Sequence, residues 1–168
     1  DHRFASPEEL HLFLDDAHAN EKNVLLDYVA NHVHELHPVF QKHPNWATNK
    51  YTADGRLNTQ LWDEERLTTW FDTFMPTLEL RNDTVAELMS DSALVWITEY
   101  DFDGFRHDAT KHIPMNFTRL LTEKIRAVSD DHVYQIGETY GSDELIASYV
   151  GSGKVDAQFN FNLYDAAF

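Results

Sequence analysis

Gly104-Phe105-Arg106-His107-Asp108 is the stretch on which the fold turns. It is short and strand-like, and it runs into a carboxylate. Arg106 and Asp108 are two apart, so on a strand both side chains point to one face. Fixed beside a guanidinium, Asp108 stays ionised, which suits a nucleophile. Working outward, Val133-Tyr134-Gln135-Ile136 reads as a second strand and leads into Gly137-Glu138. Upstream, Val24-Leu25-Leu26 is a continuous apolar run ending at Asp27, as expected of a strand buried on both faces. Downstream, Val155 to Phe159 reads as a fourth strand.

Helical patterns fill the intervals. Ser6-Pro7-Glu8-Glu9 has the form of a capping box, with Leu10, Phe13, Leu14 and Ala17 on one buried face behind it. Asn82 is placed to cap a helix with Val85, Leu88, Met89, Val95 and Trp96 inward. Pro114 opens another, carrying Phe117, Leu120, Leu121, Ile125 and Val128. Asp143 to Val150 forms a short one, and Tyr164 to Phe168 enters a last. Such alternation predicts an α/β fold of parallel strands joined by right-handed crossovers. Four parallel strands with apolar edges leave backbone unpaired, so a piece of a barrel or of a wider sheet is expected, with edges able to pair two copies as a dimer. Between His32 and Phe74 the periodicity dissolves, apart from a turn at Asp54-Gly55, and an irregular stretch that long reads as a functional insertion.

Composition narrows the function. The 168 residues carry a formal charge of −16, which repels a phosphate backbone and argues against nucleic-acid binding. No stretch approaches the roughly 20 apolar residues of a membrane span, and no charged-then-apolar leader opens the chain. The absence of cysteine excludes disulfides, thiolate zinc sites and a cysteine nucleophile.

Three acids, Asp27, Asp108 and Glu138, fall at strand C-terminal ends, where parallel α/β architectures carry their active sites. Adjacent strands are ~4.8 Å apart, close to the ~5–5.5 Å between the two carboxyls of a retaining glycosidase. Three acids at loop starts in a chain with 29 of them is the plainer reading of the same spacing. Four of the ten histidines, His32, His34, His37 and His43, crowd the start of the insertion, and His-x-His after a barrel strand also suits a zinc hydrolase. That chemistry needs further histidines at later strand ends, where this chain offers Asp108 and Glu138. Trp46, Trp62 and Trp70 suit either sugar stacking or a small core of the insertion.

The motifs carry a resemblance. Asp27-Tyr28-Val29-Ala30-Asn31-His32, Gly104 through His112 and Gly137-Glu138 resemble three characteristic regions of the alpha-amylase family, glycoside hydrolase family 13. Met75-Pro76-Thr77-Leu78 is similar to a weaker motif between the first two, and Val155 to Phe161 resembles the sixth barrel strand. The resemblance implies part of a (β/α)8 TIM barrel, about strands 3–6, built from residues 1–31 and 75–168, with residues 32–74 as a short domain-B-like insertion. It implies Asp108 as nucleophile and Glu138 as general acid/base. Arg106 would orient Asp108, Asp27 would build the site floor, His32 would bind the sugar where cleavage occurs, and Lys111 and His112 would lie on the acceptor side. The implied substrate is an α-glucan. Asn31 matches a family calcium ligand, joined by the backbone carbonyl of His112 and acids of the insertion; as a residue by itself it reads as a loop-tethering amide.

Departures bear on activity. The family's third catalytic acid, in an Asn-His-Asp motif after strand 7, is absent, as are strands 1, 2, 7 and 8, so the 168 residues alone are expected to be inactive. A non-catalytic glycan-binding relative is the rival reading. Thr77 stands where many relatives carry Asp, and His107 replaces an apolar residue facing the helices, as a packing histidine or a local stability cost. Family habit and the lack of cysteine point towards secretion or the periplasm.

Overall fold

The computed structural model describes residues 5–129 and 132–167. Ser6 caps α1 (Pro7–Ala19) by the expected reciprocal box: its hydroxyl accepts from the Glu9 amide, and the Glu9 carboxylate accepts from the Ser6 amide at 2.7 Å. Asn82 caps α3 (Asp83–Thr98) through its side-chain oxygen, which accepts from the amides of Thr84 and Val85. Pro114 is itself the cap residue of α4 (Met115–Val128), and α5 (Asp143–Ser148) starts from Ser142. The last helix, α6, spans Phe161–Ala167, and Phe168 lies outside the described residues.

Four strands form one parallel sheet in chain order: β1 (Leu25–Tyr28), β2 (Gly104–His107), β3 (Tyr134–Gly137) and β4 (Ala157–Gln158). The register aligns Asp27 with Arg106 and Ile136, and Tyr28 with His107 and Gly137. The loop acids Asp108 and Glu138 therefore leave neighbouring strands at one level. Gly104 sits against the Tyr134 backbone so closely that a Cβ would collide with its carbonyl, so only glycine fits there.

One face of the sheet is packed. Tyr28 and Phe105 meet Val85, Ala86 and Ala93 of α3 and Phe117, Leu121 and Ile125 of α4, closed above by Leu78, Leu80 and Ile113. His107 points into this layer, and the polar atoms follow it. His107 Nε2 donates to Gln135 Oε1 at 3.0 Å, and Gln135 Nε2 donates to Thr122 Oγ1 at 3.2 Å. It is a satisfied packing histidine, and burial pushes it down to about 4 against the opposing bond from Gln135.

The expectation of strands buried on both faces fails. Leu25 and Tyr134, on the other face, are each more than a third exposed, because among the described residues helices cover only one side. The buried helix faces are narrower than the apolar periodicity predicts. On α1 only Leu14 is fully buried while Phe13 is exposed, and Leu88, Val95 and Val128 are exposed as well. Trp96 is half-buried against the core, between Tyr100 and Phe102. The fourth strand is only two residues long, since Val155 leaves the ladder to bridge Val150.

The segment between β1 and α3 holds a five-residue helix, α2 (Pro38–Lys42), a 3-10 turn at Pro44–Trp46 and isolated bridges. Its centre is Trp70, whose indole N–H donates to the Thr48 carbonyl at 3.1 Å. Two bridges, His32 to Thr77 and Ala47 to Leu78, fasten the segment beside the sheet.

Candidate active site

Arg106 gathers the strand-end acids. Nη1 donates to Asp27 Oδ1 at 2.8 Å and to Asp108 Oδ1 at 2.7 Å, and Nη2 pairs with Glu138 Oε2 at 2.8 Å. One guanidinium thus serves carboxylates from three consecutive strands. Partial burial works against its charge, and the bonds to Asp108 and Asp27 outweigh that and raise Arg106 above its ordinary value. Asp108 and Glu138 are about a quarter exposed and Asp27 two-thirds, so the first two are the sheltered pair.

Backbone bonds hold the two acids. Asp108 N–H donates to the Tyr28 carbonyl at 3.1 Å. Glu138 N–H lies 3.0 Å from both the His107 carbonyl and Thr110 Oγ1. Ala109 adopts φ +49°, a left-handed conformation uncommon outside glycine, and its N–H points at Glu138 Oε2, 3.3 Å away. That oxygen thus takes both the Arg106 bond and the Ala109 amide, leaving Oε1 as the one to present a proton.

A cleft of about 340 Å³ opens over Glu138, walled by Trp62, Phe71, Lys111, His112 and Tyr140. Apolar ring faces beside charged and polar tips suit a sugar ring. Lys111 Nζ is paired with Asp63, which also lines the cleft. His112 Nδ1 donates to the Arg66 carbonyl at 2.7 Å, and Phe71 lies edge-on to the ring, centroids 5.1 Å apart. Burial depresses His112, and the bond to the Arg66 carbonyl opposes this. His32 stacks on Phe71 at 4.1 Å; burial depresses it too, against the pull of the Asp108 charge.

The structure thus brings Asp27, Arg106, Asp108 and Glu138 into one cluster, with Lys111 and His112 in the adjoining wall and His32 behind Phe71. Phe71, Asp63, Arg66 and Tyr140 escaped the sequence reading. Only Tyr140, two residues beyond Glu138, had a positional signal. The other early histidines disperse: the His34 and His37 side chains accept from the amides of Leu36 and Val39, and His43 stacks on Trp46.

Calcium needs six to eight oxygens, carboxylates among them. Asn31 is buried with its side-chain amide nitrogen towards Thr77 Oγ1, and its backbone carbonyl accepts from Leu78 N–H at 2.8 Å. Among the described residues no group of three acids or histidines is arranged to hold a metal ion. Asn31 tethers the loop at Thr77, and among the described residues no acidic cluster of the kind calcium takes is assembled beside it.

Comparison with known proteins matches the whole chain, residues 1–168, to the model of the alpha-amylase catalytic domain. It is 28% identical to alpha-amylase 3 of Dictyoglomus thermophilum, over 96% of this chain and 35% of that protein. It is 30% identical to a cyclomaltodextrinase of Geobacillus thermopakistaniensis, over 99% of this chain and 29% of that protein. Among solved structures, the alpha-amylase of Geobacillus thermoleovorans complexed with acarbose superposes with a TM-score of 0.82 at 28% identity, covering 98% of this chain and 36% of that one. The chain spans about a third of the length of these relatives.

Proposed function

This chain belongs to the alpha-amylase family of glycoside hydrolases, and we propose that the full-length protein cleaves α-glucosidic bonds in starch-like glucans or maltooligosaccharides with retention of configuration. The observation that carries the reading is Arg106, bonded at once to Asp27, Asp108 and Glu138.

Glu138 Oε1, free of Arg106, gives its proton to the glycosidic oxygen as the bond to C1 breaks. Asp108 attacks C1 and forms a glycosyl ester, while the leaving sugar departs with the proton. Glu138, now a carboxylate, takes a proton from water, whose oxygen attacks C1 and returns Asp108 as carboxylate. Arg106, bonded to Asp108 Oδ1 at 2.7 Å, holds that carboxylate in place for attack and on its release. The rings of Trp62, Phe71 and Tyr140 give the substrate faces to stack on.

The isolated 168 residues are without turnover, since their four-stranded sheet is open and they hold no Asn-His-Asp motif to supply the family's third acid. One assay tests both statements. Full-length protein, its Glu138→Gln variant and the isolated chain are offered a panel of α-glucans. Hydrolysis by the first, lost by at least about 10³-fold in the variant and absent from the isolated chain, supports the reading. A full-length protein that binds glucans and cleaves none supports the non-catalytic relative instead.

A further inference from the structure

Two residues of the irregular segment, Asp63 and Arg66, reach across to the loop after β2 and grip it at three points. The Asp63 carboxylate accepts from Lys111 Nζ. The Arg66 guanidinium donates to the Lys111 carbonyl and, at 2.8 Å, to the phenol oxygen of Tyr149. The Arg66 carbonyl accepts from His112 Nδ1 at 2.7 Å. Tyr149, 2% exposed, completes the frame by donating to the Ile113 carbonyl at 2.7 Å.

Two features give Arg66 more than a fastening role. No acid pairs with it among the described residues, and its bonds go to neutral oxygens. Arg66 is half-buried, and without a counter-charge its guanidinium is held by charge-assisted bonds to a carbonyl and a phenol, whose positions they fix. The loop it grips is also weak by itself. Thr110–His112 is a single 3-10 turn entered through the left-handed Ala109, too short to set its own register. Yet that turn aims Lys111 and His112 into the cleft beside Glu138. Glu138 protonates the leaving group, so the wall beside it meets the sugar on the leaving-group side.

We propose that Arg66 is a positioning residue: with Tyr149 it fixes the Thr110–His112 turn so that Lys111 and His112 bind the sugar on the leaving-group side. The proposal deepens the glucan-cleaving reading and rests on it. Arg66 touches neither reacting atoms nor substrate, so its loss weakens binding of longer substrates and leaves the chemical step nearly intact.

The test uses full-length protein with Arg66→Met, Arg66→Lys and Tyr149→Phe, read by kinetics on a maltooligosaccharide ladder and by amide hydrogen exchange over residues 109–113. Arg66→Met is expected to raise KM about tenfold with kcat within about threefold, and to speed exchange of those amides about tenfold. Arg66→Lys, which reaches the Lys111 carbonyl but not the phenol as well, recovers KM to within about threefold. A lowered melting temperature with KM and local exchange unchanged would overturn the proposal, as would a fall in kcat at constant KM. Should Arg66→Met not fold, Tyr149→Phe keeps the buried ring and deletes the hydroxyl that accepts from Arg66 and donates to the Ile113 carbonyl. It is expected to raise KM about threefold and speed the same amides, and no change in either overturns the proposal. If the wild-type protein cleaves no glucan, the functional reading fails, and exchange alone still decides whether Arg66 fixes the turn.

Discussion

His107 shows what one side chain adds to pH dependence. It is buried, neutral and bonded to Gln135, with its ordinary value of 6.5 pushed down to about 4 by burial. The unfolded chain binds this proton at the ordinary value and the folded chain does not. Stability is therefore complete above pH 6.5, falls as pH drops towards 4, and levels off below that. The whole effect is on the order of 3 kcal/mol. Urea midpoints of wild type and His107→Leu from pH 7 to pH 4 should converge as pH falls, the wild type losing more. Parallel curves would mean the ring is charged or solvated in the fold. Sequence could place His107 on the helix side of β2 by its period-two offset from Arg106. It could not find Gln135 and Thr122 as partners, because that match depends on strand register and on the depth of α4.

At the scale of elements, the site depends on how β2 and β3 end together. His107 and Gly137 are register partners, and Thr110 closes the step above them, donating to the His107 carbonyl at 2.9 Å and accepting from Glu138 N–H at 3.0 Å. Gly137 leaves the room this needs, since a Cβ there would lie 2.8 Å from Thr110 Oγ1. Thr110→Val keeps the shape and deletes the hydroxyl. Glu138 N–H then loses one of its two acceptors, and kcat should fall by about tenfold with a shifted basic limb of the pH–rate profile, where loss of the acid's proton limits the rate; Thr110→Ser keeps the hydroxyl and should keep both. An unchanged profile in Thr110→Val would show that the His107 carbonyl suffices. The strand acids were legible because period two and strand spacing fix them locally. The cleft wall was not. Asp63, Arg66 and Phe71 come from a segment without periodicity, and they meet Lys111 and His112 across more than forty residues.

For the molecule as a whole, the alternation of strands and helices was enough to give a parallel sheet in chain order. It over-estimated burial, because a continuous apolar run is the pattern of a strand covered on both faces, and the described helices cover one. The exposed face carries Leu25 and Tyr134 next to Asp27 and Arg106, so apolar packing and the carboxylate cluster share one surface. Catalysis by that cluster is the central claim, and it is tested most directly by trapping the covalent intermediate in full-length Glu138→Gln. An α-maltosyl fluoride needs no acid for its leaving group, so attack by Asp108 proceeds, while hydrolysis of the ester stalls without its base. Mass spectrometry of the digested protein should then find the glycosyl group on the peptide bearing Asp108. A glycosyl group on another peptide, or none at all while wild type hydrolyses the fluoride, would contradict the account.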